Sequence, residues 1–151
     1  MWQFVFGAAN LLAIAAWAIL IFLPRRPLPM TAVLYLGVGL LCLAYSLGII
    51  LLVSGVVDQG LAEGVKAGFS SIEGIRGFFS TDAGVTLGWT HYLAFDLFIG
   101  LWIARDADAK SFSRVIQVPV LFLTLIVGPV GLLTWLVLRE RSARLHGRAK
   151  V

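Results

Sequence analysis

The sequence predicts an all-α fold: an integral membrane four-helix bundle with an interfacial or re-entrant amphipathic helix between spans two and three. Two observations carry this. Hydrophobic residues make up 60% of the 151 and charged residues 13%, with a mean hydropathy of +0.94, well outside the range of soluble globular domains. The apolar residues also gather in unbroken runs, and roughly 20 such residues in a helix cross a bilayer core. The length allows a single transmembrane domain, 1–151, and no separate soluble one.

The first span runs from about Phe4 to Leu23 and is closed by Pro24. Its apolar run exceeds the roughly 7 to 15 residues of a cleavable signal core and lacks a basic leader, so a retained span is expected. The turn PRRPLP, with prolines at 24, 27 and 29, stops the helix, and Thr31 is placed to cap the next. The second span covers about Ala32 to Val53, the third Thr86 to Ala104 and the fourth Val118 to Leu138. Pro119 suits the first turn of span four, whereas Gly128-Pro129 bends it mid-span. Between spans two and three, Leu61, Val65, Phe69, Ile72, Ile75 and Phe79 recur at helical spacing. Glycines 60, 64 and 68 form a second stripe. An amphipathic segment over about 56–80, lying in the interface or dipping into the bundle, is expected. Trp2, Trp89, Trp102 and Trp135 fall near span ends, where indole rings favour the headgroup level, and Trp17 lies deeper.

The net charge of +4 and pI near 9.7 do not point to nucleic acid, because the basic residues adjoin the apolar runs. Arg25, Arg26 and the basic tail 139–151 suit lipid phosphates or topology determinants, making the bilayer the expected partner. With four crossings both chain ends share one side, and the positive-inside count leans slightly towards that side being cytoplasmic. Cys42, the single cysteine, cannot form an internal disulfide.

Chemistry concentrates in span three. Asp96 falls near the middle of GWTHYLAFDLFIGLWIA (88–104), where a carboxyl group costs several kcal/mol unless neutral, partnered or facing water. His91 lies about 140° away around the helix and roughly 7.5 Å along it, so both border a wide cleft without touching. Gly100, one turn on, leaves room beside the carboxyl group for a helix or a ligand. Asn10, Tyr45, Ser46, Thr124 and Thr134 are possible partners at similar depth. A neutral acid in an apolar cavity can protonate an oxygen or an alkene carbon of a lipid-soluble substrate, and a histidine can remove a proton. Glu73 and Arg76 make an i,i+3 pair that joins the site if the amphipathic segment folds inward. Metal ligation wants several His or Cys at close spacing, and only His91 and His146 exist, so no metal and no cofactor are expected. Arg105, Asp106 and Asp108, at the end of span three, read as a solvated helix exit.

FGAANLLAIAAWAILIFLP (6–24), SSIEGIRGFF (70–79), GWTHYLAFDLFIGLWIARDA (88–107) and GPVGLLTWLVLR (128–139) resemble the abscisic-acid-deficient-type membrane proteins. In plants that family includes the factor required for making neoxanthin. The resemblance covers almost the whole chain, and HYLAFDLFIG followed by RDA is its most specific part. It implies a small multi-span protein acting on or near a xanthophyll. Neoxanthin formation is a redox-neutral isomerisation of an epoxide to an allene, needing one acid, one base and no cofactor. The positions matching the family pattern are Asn10, Glu73, His91, Asp96, Arg105 and Asp106. The chain shows no plastid leader, so a multi-pass place in a bacterial inner membrane is expected.

The leading expectation is therefore an intramembrane isomerase of an epoxy-xanthophyll or related polyisoprenoid lipid. Its catalytic groups are Asp96 as acid, His91 as base and Glu73 in support. Asn10, Trp17, Arg76, Phe95, Phe98, Trp102 and Arg105 contact a carotenoid or terpenoid guest. The alternatives are a non-catalytic carotenoid- or lipid-binding subunit and a small proton-linked transporter; a homo-oligomer is compatible with each.

Overall fold

In the computed structural model the backbone is described for residues 1–58, 60–62, 64 and 66–148, and side chains as far as Arg141. Val65, Lys150 and the last residues of the basic tail lie outside the described residues. Every regular element among the described residues is a helix. Three are long and apolar enough to cross a membrane: α1 (Trp2–Phe22), α2 (Pro27–Val53) and α4 (Asp82–Ala109). The shorter ones are α3 (Ile72–Phe79), α5 (Arg114–Ile126) and α6 (Gly128–Arg148).

Proline placement sets the first turn. Pro24 ends α1, but α2 begins at Pro27 with Arg26 as its cap residue, so Pro27 and Pro29 sit in the first turn and Thr31 lies inside the helix rather than capping it. Prolines fit there because first-turn amides have no partner within the helix. Residues Val33–Gly39 of α2 wind as a π-helix. Close packing follows small residues: a side chain at Gly37 would strike Ala16 of α1 and Leu97 of α4, and one at Gly48 would strike Leu87. A buried core of Ala13, Trp17, Leu20, Leu41, Leu97 and Leu101 joins the three long helices.

The fourth predicted span does not run through. The chain breaks at Val127 (φ −140°, ψ 75°), and α6 folds back along α5. The Phe112 and Trp135 rings, 23 residues apart in sequence, lie 4.9 Å apart, and a side chain at Gly131 would strike Thr124. A collinear pair of helices at 1.5 Å per residue would hold those rings about 35 Å apart. Gly128-Pro129 thus makes a hairpin, not a bend: Gly128 permits a close approach at the tip and Pro129 begins a helix without needing its N–H. A hairpin tip at the level of Asp96 reaches about halfway along α4.

This correction also moves the tail. The Trp2 end of α1 and the Arg141 region of α6 fall on opposite faces of the bundle, not the same one. Arg25, Arg26, Arg105, Lys110, Arg114, Arg139 and Arg141 gather at the hairpin's open end, against Lys66 and Arg76 at the other.

The region before α3 departs from expectation as well. Among the described residues of the predicted 56–80 amphipathic segment only Ile72–Phe79 is helical, capped by Ser71, whose hydroxyl accepts from the Gly74 N–H at 3.0 Å. Gly55, Gly60 and Gly64 take φ of 72°, 68° and 79°, a left-handed backbone that interrupts any helix. Gly60 and Gly64 thus serve turns rather than a helix-contact stripe, and Gly68 instead packs its backbone against Gly74 of α3.

Candidate functional site

At 100° per residue, α4 presents different faces to different neighbours. Trp89, Asp96 and Gly100 share one side, which α1 and the hairpin tip approach. Trp17 of α1 lies over Gly100 and is 2% exposed. The room that Gly100 was expected to leave for a guest is therefore filled by Trp17, a core residue with no access to a ligand. Asp96 packs its carboxyl group against Gly128 at the hairpin tip, where no side chain would fit. Its Oδ2 is buried with no hydrogen-bond partner among the described residues. Three of the partners foreseen for it are engaged elsewhere. Thr124 and Thr134 donate to their own helix carbonyls at 2.8 Å, and Asn10 accepts from the Trp89 indole N–H at 3.0 Å while donating to the Phe6 carbonyl at 2.7 Å. Tyr92, one turn before Asp96, brings its hydroxyl within interaction range of the carboxyl group.

Beyond the tip, towards Asp82, no hairpin covers this side of α4. There Phe6, Trp89 and Tyr92 form a row of stacked rings, with centroids 6.2 Å apart for the first pair and 5.7 Å for the second. Trp89 is 41% exposed and Tyr92 39%. Phe79 of α3 lies against Gly88 on the flank. The uncovered side of α4 beyond the tip is a shallow recess walled by these half-exposed rings, with Asp96, its Oδ2 buried, at the edge next to the tip. A planar conjugated guest suits such walls, since stacked aromatic contacts add to plain burial.

His91 is elsewhere. Its ring stacks on Phe95 at 4.6 Å and meets Tyr45 of α2 at 5.2 Å, on the α2 side of α4. Near it, Phe95 and Phe98 line a wholly apolar groove of about 420 Å³ with Leu34, Tyr35, Val38 and Cys42. The 140° offset read from the sequence thus separates two surfaces rather than spanning one cleft. Glu73 and Arg76 are exposed on α3, in a third cavity of about 760 Å³ with Lys66 and Ser70. Among the predicted site residues only Asn10 and Asp96 border the recess. Arg105 is exposed at the far end of α4, and Trp102 packs under the Arg139 guanidinium at 5.7 Å.

At that far end the expected solvated exit is a polar knot. Asp106 accepts from the Trp135 indole at 3.0 Å and pairs with Lys110 at 2.6 Å and Arg139 at 3.5 Å. Asp108 pairs with Arg25 at 3.1 Å and accepts from Gln117 at 3.0 Å. Burial lowers the Arg25 guanidinium from its ordinary value, and the charge of Asp108 acts the other way. Arg114 donates to the Ile21 and Leu23 carbonyls that end α1. Trp135, expected at an interface, is completely buried. Tyr92 and the hairpin are the features that sequence reasoning missed; the only signal was Gly-Pro at mid-depth. No group of three or more His, Cys, Asp or Glu that could hold a metal ion occurs among the described residues.

No curated protein and no solved structure matches the chain. A family model does, over residues 4–135, which take in nearly all of α1, the whole of α2 to α5, the hairpin tip and Trp135. The chain belongs to the ABA DEFICIENT 4-like family.

Proposed function

We propose that the protein is an intramembrane, cofactor-independent acid/base isomerase of an epoxy-xanthophyll or a related polyisoprenoid lipid. The observation that supports this most is the Asp96 carboxyl group, buried and uncommitted at one oxygen, beside a row of half-exposed aromatic rings. Family membership supports the substrate class, and the chemistry then fits one carboxyl group. Asp96 gives its proton to the epoxide oxygen as the carbon–oxygen bond breaks, and the bonding pair stays on that oxygen as an alcohol. A C–H bond on the neighbouring chain carbon breaks, its electron pair completes the allene, and the proton returns to Asp96. The amino-terminal end of α6 stabilises the carboxylate formed between the two transfers. His91, the base expected from the sequence, faces α2, so Asp96 itself serves as base in this reading.

The bundle would place α3 in the interface, and its open basic end on the cytoplasmic side of a bacterial inner membrane. The exposed leucines of α2, Leu36, Leu40, Leu43 and Leu47, face lipid or a second copy.

The test is conversion of an epoxy-xanthophyll by purified protein in nanodiscs, with no added cofactor, read by chromatography. Wild type converts it. Asp96→Asn loses more than about a hundredfold, the scale of general acid–base catalysis, with unchanged thermal unfolding. Wild type that carries pigment without altering it would establish instead a non-catalytic carotenoid-binding subunit. That second reading is favoured by the position of His91 on another face.

A further inference from the structure

The segment before α3 is folded over that helix at two glycines. The Gly68 N–H donates to the Gly74 carbonyl at 3.1 Å, and no side chain fits at Gly74, where the Gly68 backbone lies. This crossing brings Lys66 and Ser70 to the cavity of about 760 Å³ that Ser71, Glu73, Arg76 and Ser80 also line. At 100° per residue, Glu73, Arg76 and Ser80 fall within one sector of about 60° on α3. The exposed side chains Ile72, Ile75 and Phe79 lie about 100° round from it. Phe69, also exposed, joins that apolar side through the Phe78 ring at 5.2 Å.

Two cations and one carboxylate among the described lining residues leave the cavity with one net positive charge. The ion pairs among the described residues lie at the other end of the bundle, so neither Lys66 nor Arg76 is committed to one of them. The Ser71 hydroxyl oxygen accepts from the Gly74 N–H, which leaves its hydrogen to donate. Cations and hydroxyl donors on one wall suit phosphate oxygens. An exposed apolar face alongside them suits a ligand with hydrocarbon chains.

We propose that α3 and the chain folded over it bind an anionic glycerophospholipid by its phosphate, with the acyl chains against Phe69, Ile72, Ile75 and Phe79. One negative charge balances the cavity, whereas a choline head brings a cation of its own and leaves the surplus unmatched. The proposal uses the interfacial position of α3 and nothing of the reaction at Asp96.

The probe is phosphatidylglycerol carrying a photoactivatable diazirine on its head, added to the full chain in detergent, with the label mapped by mass spectrometry after digestion. Wild type should take the label within residues 66–80. Unlabelled phosphatidylglycerol should compete about tenfold better than phosphatidylcholine or soluble glycerol phosphate. Lys66→Gln and Arg76→Gln should each weaken labelling about fivefold, the worth of one basic residue at a lipid surface. Glu73→Gln should strengthen it, a gain that a merely disturbed fold would not give. Arg26→Gln, at the opposite end of the bundle, should leave it unchanged. Full labelling after both cations are replaced, or equal competition by phosphatidylcholine, overturns the proposal. Equal competition by glycerol phosphate gives the cavity to a soluble phosphate ester and overturns the lipid. Conversion is not read here, so a failure of the isomerase reading leaves this result standing.

Discussion

The two ends of α4 are built by opposite means. Around Asp106 and Asp108 the hairpin, the α1–α2 turn and α4 are tied by two ion pairs and a buried indole, with a third pair, Lys110–Asp106, at the end of α4 itself. Around Asp82 to Asp96 the hairpin is absent, rings are half-exposed, and the chain before α3 turns on left-handed glycines. The charged groups at the first end are held in ion pairs, which offsets part of their desolvation, although Arg25 Nε and Nη2 and Gln117 Oε1 are also buried without hydrogen-bond partners. At the second, the one carboxyl group deep in the membrane has an oxygen without a partner. The contrast separates tasks: one end fixes where the hairpin stops, and where it stops leaves the other end accessible. A hairpin that crossed the whole bilayer would also cover the aromatic row.

Substitutions at the tied end should therefore cost stability first, and activity only as the fold fails. The largest effect expected is from Trp135→Ala, which empties a fully buried indole site and removes the donor to Asp106. About 4 kcal/mol of destabilisation follows from large-to-small core changes, measured by thermal unfolding in detergent. Stability within about 1 kcal/mol of wild type would mean the hairpin is not held by this contact. Arg25→Met comes next. The side chain is 9% exposed and its partner Asp108 is 38% exposed, so solvent screening limits the loss to about 2 kcal/mol. Easier proteolysis of the α1–α2 turn would accompany it.

How much of this was legible in the sequence divides along the same line. The three crossings were readable because run length alone decides them, and Asp96 stood out because a mid-span carboxyl group is costly wherever it points. Gly128-Pro129 signalled a break, but a bend and a full reversal share that dipeptide. Only long-range contacts choose between them, here Trp135 to Asp106 and Phe112. Pairing His91 with Asp96 failed for a related reason: helical phase gives the angle between two residues but not which neighbour fills it. The glycines at 60 and 64 were ambiguous between a packing stripe and turns, since the same residue serves both by lacking a Cβ.

The open end is sharpened by two smaller effects. Tyr92→Phe keeps the stacked ring and removes only the hydroxyl group near Asp96. Conversion should fall about tenfold with little change in pigment binding, the modest share of one hydrogen bond at a reacting group. A drop in binding instead would make Tyr92 a wall residue alone.

The smallest effect is expected at His91, and it decides most directly between the two surfaces of α4. In His91→Phe the new ring keeps the stack with Phe95 and Tyr45, so the fold should hold. If the chemistry belongs to the Asp96 recess, conversion changes by less than about twofold, well under the factor of a hundred or more that a positioned general base contributes. A large loss with unchanged unfolding would move the reacting carbon to the α2 side, beside the apolar groove of Phe95 and Phe98. The guest would then have to reach across α4 to involve Asp96 at all, and the half-depth recess would be a lipid-filled gap rather than a site.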